Sequence, residues 1–452
     1  MKRRHLLKLS GIGAVSAVMS HQLAHYSSNN SILAEETAIS VEIDWTNAIA
    51  ETTPLVFGSN DYEITNPKYA RNTEFQSLLE RLDIPLIRIH HSELSDRWTD
   101  AASRTWDEAK IKAGYDASYP HNPTLVQNIP RPPKWMEKDD TGLLAASEYE
   151  NYANLCGDLV TILNQKQQRN IQYWEPINEL ENPYEKRGEL DRLWKLYNFC
   201  ARAMKKRDSR IKIGGPAISW DDRKLLTKFL RNCGSNVDFI SWHRYGTGNA
   251  QESTDKLMSR TSNYKKQVRK FRSVVSETVG NRKIPLFLSE YNINYSWKSG
   301  EMRQNNHIGA VWFASVLKHL AEAEIEMATS WHLKDGVYGM IDPRNNLRPA
   351  ARVFAWGNRY FVGTVVATES SDSFVEALAV RQTSGERSLL LINKSSNLAP
   401  ISLQSQPKIF TENTTGFTLG KDGVASLSNP TAMFSNRPLI LEPHSLLLLI
   451  NA

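Results

Sequence analysis

Hydrophobic and polar residues follow a regular order along most of this chain, a short apolar run and then a longer amphipathic stretch. The apolar runs are predicted strands and the amphipathic stretches are predicted helices. The order repeats eight times, which is typical of a (β/α)8 barrel. The predicted strands are Leu55–Gly58, Leu86–His90, Thr124–Ile129, Ile171–Trp174, Ile211–Gly214, Phe239–Trp242, Leu286–Ser289 and Met327–Trp331. The predicted helices are Phe75–Leu82, Trp106–Ala117, Glu148–Lys166, Glu189–Lys206, Asp221–Asn232, part of Glu252–Val279, Asn306–Ala323 and Ala350–Phe361.

The pattern changes after Phe361, where short alternating runs are separated by turn-forming residues. These runs predict a small β-sandwich. They are Phe374–Val380, Arg387–Ile392, Ile401–Leu403, Leu439–Leu441 and Leu446–Ile450. The early run Ala38–Trp45 also alternates and is expected to join that sandwich. The predicted fold class is therefore α/β, with a barrel over residues 51–361, a sandwich over residues 362–452 and an added strand within residues 35–50.

Residues 1–34 have the pattern of an export signal. Basic residues precede a mild apolar run from Leu9 to Met19, which is too short for a stable membrane span. The arginine pair Arg3-Arg4 with its following leucines resembles the twin-arginine signal, and an ordinary Sec signal is the alternative. Cleavage after Ala24 or Ala34 is expected. The chain is then exported to the periplasm or exterior of a bacterium, without stable membrane insertion.

Composition and charge narrow the possible partners. Hydrophobic residues make up 40% of the chain and charged residues 23%, as in a soluble protein with a large core. Removing residues 1–34 takes away four basic residues and no acid, so the formal charge falls from +6 to +2. That charge gives no support for nucleic-acid binding. The odd count of three cysteines, Cys156, Cys200 and Cys233, predicts buried thiols with at most one disulfide.

Polar and aromatic residues stand at the ends of several predicted barrel strands. They are Arg88 and His90, Asn178 and Glu179, His243 and Tyr245, Glu290, and Trp331. In a (β/α)8 barrel the carboxyl ends of all strands meet on one face, so these side chains are expected to converge. Two carboxylates on one such face are what glycoside hydrolysis needs, since one protonates the leaving oxygen and the other attacks the sugar or activates water.

Several motifs together resemble the clan A glycoside hydrolases, and most closely glycoside hydrolase family 39. They are Arg88-Ile89-His90, Trp174-Glu175-x-x-Asn178-Glu179, the run from Asp238 to Tyr245, and Ser289-Glu290-Tyr291-Asn292. The family usually has proline after the Asn-Glu pair, whereas this chain has Leu180.

The resemblance implies roles for the residues of these motifs. Glu179 would be the general acid/base and Glu290 the nucleophile, with carboxyl groups about 5–5.5 Å apart. Arg88, His243 and Tyr245 would be hydrogen-bond or charge partners of Glu290. Asn178 would bind the sugar 2-hydroxyl, Trp331 would form the floor of the sugar site, and His90 would bind substrate. The pKa of Glu179 is expected to be raised and Glu290 to stay ionised.

The resemblance implies no metal and no organic cofactor, and a carbohydrate substrate from outside the cell or from its envelope. Xylosidase and iduronidase activities both stay open. Other interpretations are a non-catalytic carbohydrate-binding or assembly protein on a glycosidase fold, and a transglycosylase. For single residues, His90 could be a satisfied strand-end histidine, Arg88 a structural ion pair and Trp331 a core residue.

Overall fold

The computed structural model describes residues 38–451 except 71, 117, 120, 121, 407–409, 411–413, 428, 429 and 431–437. The predicted export signal and both predicted cleavage sites lie outside the described residues. Within the described residues, none of the helices combines the length and the hydrophobicity that crossing a membrane would require.

Eight parallel strands close into a barrel, which confirms the predicted fold class. In chain order the strands of the whole molecule are β1 (Ile39–Thr52), β2 (Gly58–Asp61), β3 (Leu86–Ile89), β4 (Thr99–Asp100), β5 (Thr105–Trp106), β6 (Thr124–Asn128), β7 (Tyr173–Glu175), β8 (Lys212–Ile218), β9 (Phe239–Thr247), β10 (Leu286–Asn294), β11 (Met327–Ser330), β12 (Gly363–Ser370), β13 (Val375–Gln382), β14 (Arg387–Asn393), β15 (Ala399–Gln406), β16 (Thr415–Gly420), β17 (Gly423–Leu427), β18 (Leu439–Leu441) and β19 (Ser445–Asn451). The barrel consists of β2, β3, β6, β7, β8, β9, β10 and β11.

The α-helices surround the barrel and pack on it through buried apolar faces. They span Pro67–Ala70, Thr73–Leu82, Leu94–Trp98, Glu108–Asp116, Tyr149–Val160, Glu181–Glu185, Leu190–Arg207, Arg223–Cys233, Thr254–Ser259, Asn263–Val279, His307–Ala321 and Pro349–Tyr360. Short 3-10 helices span Pro54–Phe57, Ala146–Glu148, Gly234–Asn236 and Arg303–Asn305, and a π-helix spans Thr161–Lys166. Side-chain caps fix several starts; for example, Asp222 accepts hydrogen bonds from the backbone N–H groups of Lys224 and Leu225.

The barrel interior has an apolar half and a polar half. A small core of Leu86, Val126, Phe239, Phe287 and Met327 lies at or near the starts of its strands. The polar strand ends therefore share the opposite half, where a barrel of this kind holds its site.

The first predicted barrel strand is wrong in position. Residues Pro54–Phe57 form a 3-10 helix, and β2 follows it. Pro54 favours this because its fixed backbone angle suits the first helical residue. Val56 and Phe57 enter the core between barrel and helices. All four residues of β2 are buried although three of them are polar, and Asn60 and Asp61 have hydrogen-bond partners at the polar end of the barrel.

The accessory region is one curled sheet of nine strands, in the order β17-β16-β19-β14-β13-β12-β1-β15-β18. As predicted, the N-terminal strand joins it: β1 pairs antiparallel with β12 and parallel with β15. The apolar run of β14 is buried on both faces. Leu389 and Leu391 face the sheet's own core, whereas Leu390 and Ile392 pack in the core shared with the barrel. The sequence pattern did not predict β12, β16 and β17.

A buried ionic cluster also joins the sheet to the barrel helices. Glu376 on β13 accepts hydrogen bonds from Lys394 (2.5 Å) and from Ser315 (2.5 Å), and lies 2.9 Å from Nε2 of His319. The side chains of Glu376 and Lys394 are 9% and 3% exposed.

Candidate active site

Glu179 lies on the loop that follows β7, with its backbone in the left-handed region at φ 49°. Non-glycine residues rarely adopt this conformation, and it is found mostly where surrounding contacts enforce it. Here the backbone N–H of Glu179 donates to the carbonyl of Ala217 at the end of β8 (3.0 Å). The side chain is 40% exposed, and its Oε1 lies 2.6 Å from Nδ1 of His243.

Glu290 lies inside β10 rather than at its end, because the strand continues to Asn294. The pairing of β10 with β9 contains a bulge between Leu288 and Glu290. Leu288 and Tyr291 both pack in the core outside the barrel although they are three residues apart. In an unbroken strand Leu288 and Glu290 would point to the same face of the sheet. The bulge adds one residue between them, so the side chain of Glu290 points into the barrel and reaches its polar end.

The two candidate carboxylates are close together. One oxygen of Glu179, one oxygen of Glu290 and one ring nitrogen of His243 lie within 4.8 Å of one another. Retaining enzymes hold their two carboxyl groups about 5–5.5 Å apart and inverting enzymes about 6.5–9.5 Å apart, so two acids this close are of the kind that a retaining mechanism uses.

Arg88 is the charged centre beneath these carboxylates, and its side chain is fully buried. Its Nε donates to Glu175 (2.7 Å), and its Nη1 donates to Glu290 (3.0 Å). The remaining contacts are to Asn60 (3.0 Å) and to Asn178 Oδ1 (2.6 Å). One guanidinium thus positions Asn178 and neutralises two buried acids, which a single ammonium could not do in this geometry.

His243 lies between the two candidate catalytic acids. Its Nδ1 is 2.6 Å from Glu179, and its Nε2 is 3.5 Å from Glu290. Burial acts to lower the pKa of His243, but the charges of Glu290 and Glu179 raise it above the ordinary value. The histidine therefore keeps a proton to higher pH than usual.

The expectation of a raised pKa for Glu179 is wrong for this structure. Burial acts to raise the pKa of Glu179, but the charge and the hydrogen bond of His243 bring it below the ordinary value. Burial raises the pKa of Glu290, against the charges of His243 and Arg88. These two directions favour an ionised Glu179 beside a protonated His243.

Tyr245 and Asn178 lie on the same polar face as the two acids. The hydroxyl of Tyr245 donates to Oε2 of Glu290 (3.0 Å), and burial raises the pKa of Tyr245 so that it stays protonated. Asn178 is 4% exposed, and among the described residues its Nδ2 has no hydrogen-bond partner. That amide is free to donate to a sugar hydroxyl.

His90 and Trp331 form an aromatic corner of the same face with Tyr62. The ring of Trp331 meets His90 edge-on at 5.4 Å and Tyr62 at 5.5 Å. Burial and the charge of Arg88 lower the pKa of His90, so its ring is neutral. Asn128 uses its Nδ2 as a donor to Glu175, so its Oδ1 accepts from Nδ1 of His90 (2.8 Å). Nε2 of His90 is therefore left as an acceptor for a substrate hydroxyl.

Glu179, His243 and Glu290 could also hold a metal ion, judged by residue type and spacing. The hydrogen bond between His243 and Glu179 would have to be replaced by the ion.

Sequence reasoning missed three buried polar residues that support the site: Asn60, Asn128 and Glu175. Asn128 ends β6 and could have been found by the strand-end argument applied to the other residues. Glu175 stands inside the motif Trp174-Glu175-x-x-Asn178-Glu179. Its side chain is fully buried, and it is the ion-pair partner of Arg88. Asn60 was hidden because the first strand was predicted too early in the chain.

Comparison with known proteins agrees with the resemblance noted from the motifs. Residues 149–341 match the family model for glycosyl hydrolases family 39. The chain is 22% identical over 236 residues to a beta-xylosidase of Geobacillus stearothermophilus, which covers 46% of this chain and 44% of that protein. It is 23% identical over 244 residues to a beta-xylosidase of Caldicellulosiruptor saccharolyticus, which covers 48% and 47%. The matches thus span about half the length of these relatives.

Solved structures share the fold over nearly the whole chain. A monomeric beta-xylosidase from Caulobacter crescentus superposes with a TM-score of 0.68 at 16% identity, covering 91% of this chain and 99% of that one. A family 51 arabinofuranosidase from Xanthomonas axonopodis pv. citri gives a TM-score of 0.69 at 14% identity, covering 92% and 100%. At this low identity the structures show the shared fold. The resemblance to family 39 is confirmed by the family-model match over residues 149–341.

Proposed function

We propose that this chain, similar over residues 149–341 to glycosyl hydrolases family 39, is a retaining glycoside hydrolase that cleaves O-glycosidic bonds by double displacement. The observation that carries the proposal is the closeness of two acids on the polar face of the barrel, an oxygen of each lying within 4.8 Å of the other. Acids held this close favour a retaining mechanism, because an inverting one uses a wider separation that leaves room for a water opposite the leaving group.

In the first step Glu290 attacks the anomeric carbon while Glu179 gives a proton to the glycosidic oxygen. The bond between carbon and leaving oxygen breaks, and a glycosyl ester of Glu290 forms. In the second step Glu179 takes a proton from water, the water oxygen attacks the anomeric carbon, and Glu290 is released as a carboxylate. The sugar leaves with its original configuration.

The neighbours of the two acids support this division of roles. Arg88 and Tyr245 hold Glu290 by hydrogen bonds, which favours its anionic form and its position for attack. His243 holds the proton beside Glu179, so it supplies a proton for the acid step when substrate enters. Asn178 is placed to donate to a sugar hydroxyl, a contact that strengthens in the transition state.

The substrate we propose is an oligosaccharide or polysaccharide from outside the cell or from its envelope. Both curated relatives are named beta-xylosidase, so β-linked xylose is the first sugar to test. The basic N-terminal segment supports export, and the exported protein would meet such substrates there.

The test is hydrolysis of aryl α- and β-glycosides, beginning with β-xylosides, by the wild type, Glu290→Gln and Glu179→Ala. We expect Glu290→Gln to lose activity on every leaving group, because no covalent intermediate forms. Glu179→Ala should lose activity on poor leaving groups and keep the first step on dinitrophenyl glycosides, which need no proton. Azide should then rescue Glu179→Ala and give a glycosyl azide of retained configuration.

A matched control is Glu185→Gln, an exposed glutamate on the helix after Glu179, which should behave as the wild type. A first product of inverted configuration would rule out the retaining mechanism. A wild type that turns over no glycoside of the panel, but binds sugars, would favour the non-catalytic binding protein instead.

A further inference from the structure

Among the residues that the structure describes, the large aromatic side chains exposed to solvent all lie on one face of the molecule. Within the described part of the chain they are Trp220 (48% exposed), Tyr295 (52%) and Trp297 (53%). Trp220 follows the carboxyl end of β8, and the other two follow that of β10. All three therefore stand on loops at the face that holds Glu179 and Glu290. Exposed aromatic rings cost solubility, so their confinement to this face suggests a ligand.

The loop that carries Trp220 is fixed on both sides of the ring. The backbone N–H of Ser219 donates to Glu181, two residues beyond Glu179 (2.8 Å). Asp221 is paired with Arg244 (2.7 Å), and the carbonyl of Ala217, at the end of β8, accepts from the N–H of Glu179. Trp220 is thus held beside the candidate acid/base and exposed at the same time, as a preformed contact surface is.

Tyr295 completes a pair with Trp220. Their ring centroids are 5.5 Å apart and the rings are nearly perpendicular, at 84°. Gly248 makes room for this pair, because a Cβ at that position would overlap the ring of Tyr295. A cavity of about 290 Å³ lies beside this pair, and its lining includes Trp220, Tyr245 and Gly248. Both rings follow the carboxyl ends of their strands, so they stand on the face of the barrel that holds the two acids.

The chemistry of the first step indicates which part of the substrate lies near these two rings. Glu179 protonates the oxygen between the attacked sugar and the leaving group, so the leaving group must pass on its side of the site. A flat ring there can pack against the apolar face of a pyranose. We propose that the rings of Trp220 and Tyr295 bind the saccharide on the leaving-group side of the cleaved bond, so that the natural leaving group is a sugar. This inference rests on the function proposed above and names its substrate more closely.

The test compares two substrates that differ only in the leaving group. β-D-Xylosyl fluoride has no leaving sugar, whereas xylobiose has one. We expect Trp220→Leu to lower the ratio of kcat/KM for xylobiose to kcat/KM for the fluoride by about tenfold, the size of one aromatic contact. Trp220→Phe should keep most of the ratio because it retains a ring. Gly248→Ala should lower the ratio as well, since it displaces Tyr295.

Leu398→Ala on the accessory sheet is the control, because it removes an equally exposed apolar side chain (53%) far from this face. Its ratio should match the wild type. An unchanged ratio in Trp220→Leu, or a ratio that falls equally in Trp220→Phe and Trp220→Leu, would overturn the assignment of the rings.

Affinity electrophoresis in gels that contain xylan, arabinan or mixed-linkage β-glucan separates this failure from that of the proposed function, because it needs no turnover. A wild type that hydrolyses neither substrate can still be retarded by one polysaccharide more strongly than the Trp220→Leu variant is. In that case the hydrolase proposal fails, whereas saccharide binding by the rings of Trp220 and Tyr295 stands. Equal migration of the wild type and Trp220→Leu in all gels would refute saccharide binding by these rings, whether or not the enzyme is active.

Discussion

Replacing Arg88 by methionine should lower the free energy of unfolding by an amount that can be worked out from the burial of its partners. The side chains of Arg88 and Glu175 are fully inaccessible, and that of Glu290 is 7% exposed. Methionine fills similar space but leaves both acids without their charged partner. Removing one member of a buried pair costs about 3–5 kcal/mol, because the other charge stays in a medium of low polarity. With an unfolding entropy of about 2.1 cal/mol/K per residue over roughly 400 residues, that loss lowers Tm by about 4–6 °C.

Urea unfolding at pH 7 measures the change in the free energy of unfolding, and calorimetry measures Tm. The double variant Arg88→Met with Glu175→Gln should recover part of the loss, because one uncompensated charge is removed with its partner. Arg97→Met is a matched control: Arg97 is 44% exposed and its pair with Glu93 should contribute less than about 1 kcal/mol. A loss below about 1 kcal/mol for Arg88→Met, or a double variant no more stable than the single one, would show that Arg88 does not neutralise these acids.

Two further changes test the pH behaviour. His243→Gln removes the group that holds the proton beside Glu179, so the alkaline limb of the pH profile of kcat/KM should move by about one unit to lower pH; an unmoved limb would exclude His243 as that group. Burial acts to raise the pKa of Glu376, but His319 and Lys394 lower it well below the ordinary value, so this acid stabilises the fold above about pH 4.5 and the contribution is lost as pH falls. Glu376→Gln should therefore lower the free energy of unfolding by about 3 kcal/mol at pH 7 and by less at pH 3, measured by urea unfolding; a loss of equal size at both pH values would contradict this account.

The barrel and its two acids could be predicted because their signals are local. Each strand and helix carries its own periodicity, and Glu179 and Glu290 follow apolar runs in the same way. The accessory sheet was predicted less completely. β16 and β17 contain little hydrophobic sequence, and β17 is largely exposed, so their pairing depends on neighbours far along the chain.

The details that decide the electrostatics of the site were not predictable. β2 is a buried strand with a polar sequence, because its side chains bond to side chains and backbone carbonyls of nearby strands, so it has no apolar signal. The bulge before Glu290 depends on the register with β9. The contact between His243 and Glu179 depends on the left-handed backbone at Glu179, which the hydrogen bond to Ala217 at the end of β8 supports. That contact reverses the expected direction of the pKa of Glu179.

The place of β1 within the accessory sheet sets an order in time. β1 is among the first described residues to be synthesised, yet its partners are β12, up to Ser370, and β15, up to Gln406. At a synthesis rate of about 5–20 residues per second, roughly 20–70 s pass between the synthesis of β1 and that of β15, the strand that pairs with its second edge. Until then its unpaired edge is available to chaperones or to other chains. If the N-terminal segment is the twin-arginine signal that its sequence resembles, transport of the folded chain would have to wait until the C-terminal strands have been made.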